Sequence, residues 1–198
     1  SIAISPPTQN RYSSVPSFRS ATGFHYGFLG RIAPEKGLLN LVSAFQSIAK
    51  VDDRLLIAGS AVSVEGESIY KSLASSAERD SRIVLLGFVP EQKVADFYAS
   101  IDAFVFPSVN ALEAFGIAQA EAKALGIPLV TSDLPGVRTL IDAPKTGLLV
   151  RPGDVDSLAV GLERVRHMQR MSPICSENTG LSAYIDLVNS LLNKKVKN

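Results

Sequence analysis

From residue 24 onward, short apolar runs alternate with longer segments in which apolar residues recur three or four positions apart. Such runs mark strands buried on both faces, and the wider stripes mark helices with one buried face. The pattern predicts strands near 24–29, 54–58, 82–86, 102–106, 127–131 and 147–150. The intervening segments predict helices near 37–50, 65–79, 91–100, 115–125 and 154–170. Leu38, Leu41, Val42, Phe45, Ile48 and Ala49 form the apolar face of the first, and Val94, Phe97 and Tyr98 that of the third. The last opens at Asp154, a residue type whose carboxylate caps free helix N–H groups, with Leu158, Leu162 and Val165 as its stripe. Parallel strands need crossover connections, and crossover helices cover both faces of a sheet. The expected fold is therefore α/β, a doubly wound parallel sheet of about six strands.

The same pattern divides the chain. Residues 1–20 run through Pro6-Pro7 into a Ser/Pro/Arg-rich stretch that reads as a linker. Residues 21–171 hold the βα alternation, and 172–198 an irregular piece, a final helix near 181–193 and a tail. That helix has Leu181, Tyr184, Ile185, Val188, Leu191 and Leu192 on one face, a stripe that needs a surface to lie on.

Composition narrows the function classes. With 198 residues, 46% of them hydrophobic and 20% charged, the chain can bury one sizeable core and is not intrinsically disordered. A net charge of +1 gives no broad reason to expect nucleic acid, and Lys194-Lys195-Val196-Lys197 reads as a solvated tail. The single cysteine, Cys175, forms no internal disulfide, and no apolar run reaches the roughly 20 residues of a membrane span. Residues 1–7 lack the basic leader and apolar core of a targeting segment. A cytoplasmic protein without a transmembrane segment is expected. His25 and His167 lie far apart, so no metal site is expected.

Candidate chemistry gathers at two junctions. After the fourth strand, Pro107-Ser108-Val109-Asn110 leads through Glu113, Phe115 and Gly116 into a helix carrying Ile117 and Glu121. A strand, a polar loop and a helix opening at a glycine make an anion site, because unpaired N–H groups and the helix dipole converge there. Eight residues at roughly 1.5 Å each separate Glu113 from Glu121 by about 12 Å, comparable to the distance from hexose to ribose across a diphosphate. A first-turn acid favouring the dipole and an ordinary helical surface residue explain the pair equally well. After the first strand, Gly30, Arg31 and Lys36 put two cations where open α/β sheets bind ligands. Arg31 and Lys36 suit a diphosphate, and pairing with Glu35 or solvent suits them too. The junction has neither the Gly-x-Gly-x-x-Gly spacing of dinucleotide sites nor a phosphate-loop Gly-Lys-Ser/Thr. Gly59 and Gly87 read as plain turn residues, and Asp133 and Gly136 as a weaker edge of the same crevice.

In order along the chain, several motifs recur together: Gly30-Arg31 with Lys36-Gly37, the segment 82–90, Pro107-Ser108, Glu113 with Phe115-Gly116 and Glu121-Ala122, 126–130 and 147–150. Over about residues 22–165 the chain resembles the C-terminal, nucleotide-sugar-binding half of a family 4 retaining glycosyltransferase of the GT-B architecture, the "glycosyl transferases group 1". The resemblance implies a Rossmann-like domain in which Arg31 and Lys36 hold the donor diphosphate, Glu121 the ribose and Glu113 the transferred sugar. Glu113, Arg31 and Lys36 would carry catalysis. Phe115, Gly116 and Ile117 would meet sugar and phosphate oxygens through their backbone, and Phe88 and Val89 would lie against the base.

No cofactor is implied beyond the substrate, a UDP- or GDP-sugar, and no metal. Implied partners are an N-terminal acceptor-binding domain absent from this chain and a glycan, lipid-linked or small-molecule acceptor. Any attachment to the inner face of the membrane would pass through that domain. The last helix would cross back to it, leaving this chain inactive alone. Departures are Gly59-Ser60-Ala61 where the family often has Gly, an acid and Gly, Thr139 where it often has Glu, and a longer spacing from Ser108 to Glu113. A non-catalytic nucleotide-sugar or phosphate-binding module and a flavodoxin-like regulatory domain remain as alternatives.

Overall fold

Residues 22–110 and 116–172 are described by the computed structural model. The linker over 1–20, the loop residues Glu113 and Phe115 and the stripe over 181–193 lie outside the described residues.

The strands are β1 (His25–Leu29), β2 (Arg54–Ala58), β3 (Ile83–Gly87), β4 (Ala103–Phe106), β5 (Leu129–Ser132) and β6 (Gly147–Val150). They pair in parallel in the order β3-β2-β1-β4-β5-β6, a Rossmann-like order. The helices are α1 (Leu38–Ile48), α2 (Val64–Arg79), α3 (Glu91–Ala99), α4 (Ile117–Ala124) and α5 (Val155–Val165), with short 3-10 turns at Pro34–Lys36 and Arg138–Leu140.

Side-chain alternation along the strands makes two cores. Tyr26, Phe28, Leu55, Ile57, Val105 and Val130 point to one face and pack with Leu41 and Phe45 of α1 and Leu158 and Leu162 of α5. Leu56, Phe104, Phe106 and Leu129 point to the other and pack with Phe97, Tyr98 and Ala122 of α3 and α4. Each fully buried side chain of this size contributes about 1.5–3 kcal/mol against leaving it in water.

Three boundaries differ from the sequence expectation for identifiable reasons. β5 begins at Leu129 rather than 127, because Pro128 has no N–H to enter the ladder; its carbonyl still accepts from the Phe104 N–H at 2.9 Å. α2 begins at Val64, one residue before the expected 65, because the Ser63 hydroxyl caps it by accepting from the Gly66 N–H at 3.1 Å. α5 is capped by Asp154 as expected, its carboxylate accepting from the Ser157 N–H at 2.8 Å, but it stops at Val165 rather than 170. There Arg166 is drawn to Asp53, and the chain tightens through His167 N–H to the Arg164 carbonyl and Met168 N–H to that of Val165.

That ion pair closes the amino ends of the strands. The Asp53 carboxylate is 2% exposed and accepts from the backbone N–H groups of Lys50 at 2.6 Å and Phe24 at 3.0 Å and from both Arg166 terminal nitrogens. The guanidinium also lies 5.4 Å from the Phe24 ring centre and 5.5 Å from that of Tyr26. Burial alone would raise the Asp53 pKa; the Arg166 hydrogen bond, the two backbone donors and the Arg166 charge outweigh it and hold the pKa below the usual carboxylate range. Nearby, the Asp80 carboxylate accepts from Arg82 Nε at 2.9 Å and Nη2 at 2.8 Å, which holds its pKa at about 2.

Two outcomes follow from this pole. Arg166→Ala leaves a buried carboxylate without its cation and should cost about 3–5 kcal/mol in urea denaturation. Asp80 has a folded pKa below its unfolded value, so its ionised form stabilises the fold. Its contribution is complete above roughly pH 4 and is lost as pH falls through about 2. Denaturation curves across that window should show stability declining with acid, with a shallower decline in Asp80→Asn.

Candidate functional site

In an open parallel sheet the crossovers run to opposite sides on either flank of a switch point, and a crevice opens there at the carboxyl ends of the strands. Here the switch lies between β1 and β4. Gly30 follows the one strand and Gly116 opens the helix that follows the other, so both expected anion-binding turns meet at the same end of the sheet.

Main-chain contacts weld the two turns together. The Glu35 carbonyl accepts from the Val109 N–H at 2.8 Å and from the Ser108 hydroxyl at 2.9 Å. Gly37 ends the 3-10 turn at φ 64°, and a Cβ there would lie 2.2 Å from the Pro107 carbonyl oxygen. Only glycine allows that approach. Gly59 proves more than a plain turn residue: at φ 147° its missing Cβ would lie 1.8 Å from the Gly30 carbonyl oxygen, and its N–H donates to the Gly87 carbonyl at 2.7 Å. The turns after β1, β2 and β3 therefore form one backbone layer.

The two expected cations differ in kind. Lys36 is 8% exposed, with its ammonium 5.4 Å from the centre of the Phe106 ring. A Cβ on Gly116 would lie 3.2 Å from the same ring. Phe106 thus sits between a buried cation and the N-terminus of α4, which begins with its Gln119 and Ala120 N–H groups bonded to the Gly116 carbonyl at 3.0 and 3.1 Å. Both sources of positive potential converge on one spot. Arg31 lies on the rim, 61% exposed at its side chain and 3.2 Å from the Glu35 carboxylate. An exposed pair of this sort is worth about 0.2–1 kcal/mol, little enough for an incoming anion to recruit the arginine.

α4 is fixed in rotation by a residue that the periodicity does not flag. Gln119 is fully buried; its amide donates to the Val137 carbonyl at 2.9 Å and accepts from the Thr131 hydroxyl at 2.8 Å. A glutamine buried in an otherwise alanine-lined face is the signal for such an anchor, although its partners 12 and 18 positions away cannot be named beforehand. With α4 held so, Glu121 is half-buried and its carboxylate meets the Tyr98 hydroxyl of α3. Ile117, at the first turn, is 59% exposed.

Phe88, 69% exposed, and the half-buried Val89 lie in the turn after β3, on the far side of β2. Asp133, beyond β5, is held by Arg138 at 3.0 Å. The structure therefore gathers Gly30, Arg31, Lys36, Gly116 and Ile117 at the carboxyl end of the sheet, with Phe88 and Val89 at the same end beyond β2 and Glu121 further along α4 against Tyr98, while Glu113 and Phe115 lie outside the described residues.

Comparison with known proteins bears on the family and the fold. The family model for glycosyl transferases group 1 matches residues 17–180. An uncharacterized glycosyltransferase of Methanocaldococcus jannaschii is 34% identical over 139 residues, 70% of this chain and 34% of that protein. The capsular polysaccharide biosynthesis glycosyltransferase CapM of Staphylococcus aureus is 31% identical over 145 residues, 72% of this chain and 36% of that one. The chain spans about a third of the length of the curated relatives it matches. Among solved structures, Anabaena HepE in complex with UDP aligns with a TM-score of 0.69 at 22% identity, over 90% of this chain and 50% of that one. The C-terminal domain of a glycosyl transferase group 1 protein from Francisella tularensis aligns with a TM-score of 0.64 at 22% identity, over 84% of this chain and 85% of that one. At that identity the likeness establishes the fold, the C-terminal half of a GT-B architecture.

The weld predicts that Gly37→Ala costs at least the ~1–2 kcal/mol of a left-handed alanine, and more because the methyl meets a carbonyl oxygen. Thermal melting should show the loss, and pyrophosphate binding should weaken with it, whereas Gly153→Ala, where a Cβ would have no neighbour closer than 3.9 Å, should cost only the backbone strain.

Proposed function

This chain belongs to the glycosyl transferases group 1 family, and from that premise we propose that it is the donor-binding half of a retaining glycosyltransferase. The parent protein transfers a hexose from a UDP- or GDP-sugar to a glycan, lipid-linked or small-molecule acceptor. The observation that carries this reading is the convergence of Lys36 and the α4 N-terminus on Phe106, with Arg31 on the adjoining rim. A diphosphate seated there meets a buried point charge, a mobile guanidinium and converging backbone N–H groups.

The chemistry follows from the charge that develops on the leaving group. As the bond from sugar to phosphate breaks, negative charge accumulates on the diphosphate. Preorganised donors in a water-poor crevice stabilise that charge without having to reorganise. Arg31 and Lys36 take this role. Glu121 holds the ribose hydroxyls, Glu113 the transferred sugar, the backbone at Phe115, Gly116 and Ile117 the oxygens between them, and Phe88 with Val89 the base. That HepE was solved with UDP supports a nucleotide diphosphate as the ligand class. Acceptor binding and exclusion of water belong to a second domain that closes over the crevice.

Two measurements test this reading. Titration calorimetry of the chain with UDP, GDP and their sugars should give weak binding, reduced roughly tenfold or more in Lys36→Ala; absence of any binding would leave the regulatory-domain alternative. The chain alone should transfer essentially no sugar across a range of acceptors. In the complete enzyme, Arg31→Ala should cost a few kcal/mol in kcat/KM, and Glu113→Ala should abolish transfer, which a passive binding module would not require.

A further inference from the structure

The Glu121 carboxylate does not choose its own direction. Its Oε2 accepts a hydrogen bond from the hydroxyl of Tyr98, 23 residues earlier on α3. Tyr98 is 2% exposed, its ring held edge-on by Phe97 at 5.4 Å and tilted against Phe104 at 6.1 Å, and its backbone carbonyl accepts from Arg170 at 3.1 Å. The hydroxyl is thus presented by a side chain with almost no freedom. It also lies 2.9 Å from the Ala118 carbonyl oxygen. One O–H proton faces two acceptors, and an ionised carboxylate is the stronger of them.

The Ala118 carbonyl by itself would satisfy a buried hydroxyl, so burial of Tyr98 does not require the carboxylate to be there. Glu121 is half-buried on α4, the helix that opens at Gly116, with rotamer freedom that would otherwise let its carboxylate swing into water. We propose that Tyr98 is a positioning residue for the donor nucleotide: its hydroxyl locks Oε2 of Glu121 and so aims Oε1 at the ribose hydroxyls. This rests on the reading of Glu121 as the ribose ligand given above.

The experiment is a cycle between protein and ligand hydroxyls. Dissociation constants are measured by calorimetry for the full chain, Glu121→Gln, Tyr98→Phe and Tyr26→Phe, each with UDP and GDP and with their 2′,3′-dideoxy counterparts. Tyr26 serves as the control because its equally buried hydroxyl donates to the Leu162 carbonyl at 2.9 Å, away from the crevice. Wild type should bind the dideoxy nucleotide about tenfold more weakly, as when a hydrogen bond to a charged group is lost. Tyr98→Phe should weaken binding of the ribonucleotide roughly three- to tenfold and leave the dideoxy nucleotide unchanged, while Tyr26→Phe lowers the melting temperature without altering either constant.

Equal weakening of both nucleotides in Tyr98→Phe would mean a structural role only and would overturn the proposal. So would an unchanged ribonucleotide constant in Tyr98→Phe while Glu121→Gln still loses its discrimination, a result that leaves the ribose reading standing. If wild type fails to discriminate, or binds neither nucleotide, the ribose reading falls and the role of Tyr98 falls with it.

Discussion

The site depends on a contact between two stretches of main chain. The turn after β1 and the end of β4 approach so closely that the Gly37 α-carbon has no room for a side chain against the Pro107 carbonyl. The Glu35 carbonyl is shared by Ser108 and Val109 in the same seam. Because hydrogen-bonded backbone is stiffer than any side chain, this seam sets the separation between Lys36 and Phe106, and through Phe106 the seat of the α4 N-terminus. A crevice whose walls were joined only by side-chain packing could open or slide. Here the walls are fastened at their base, so the positive potential has a defined position before any ligand arrives.

The two ends of the sheet solve opposite electrostatic problems. At the amino ends, Asp53 with Arg166 and Asp80 with Arg82 neutralise one another through paired hydrogen bonds. At the carboxyl ends, Lys36 is buried beside the Phe106 ring, which also adjoins Gly116 at the N-terminus of α4, so positive potential gathers there. The two poles thus differ in kind: paired charges at the amino ends, and a backbone seam with an aromatic-faced lysine at the carboxyl ends.

The helix between the poles connects them. α4 is short, and small residues on its buried face let it lie close to the sheet. Close packing by itself would leave it free to turn about its axis. The Gln119 amide, bonded to both β5 and the turn after it, removes that freedom. The direction of Glu121 is therefore decided by a residue two positions earlier and by Tyr98 on a neighbouring helix.

What the sequence alone determined is what short-range periodicity can encode. The strand and helix sequence, the parallel doubly wound class, the Asp154 cap and the placing of Gly30, Arg31, Lys36, Gly116 and Glu121 at strand-to-helix junctions were all legible, since each rests on neighbours within a few residues or on the rule that open sheets bind ligands at their carboxyl ends. The ordered run of motifs that carries the family resemblance was legible for the same reason. The stop of α5 at Val165, the closeness that makes Gly37 and Gly59 obligatory, the anchoring of Gln119 and the pairing of Tyr98 with Glu121 were not. Tyr98 read as one more apolar helix residue, and Arg166 did not stand out within the last helix of the βα alternation. Each takes its role from a partner 12 to 113 positions away. Such partners meet only once the strand order and the rotation of each helix on the sheet are set, and those are properties of the whole packed core rather than of any stretch of chain.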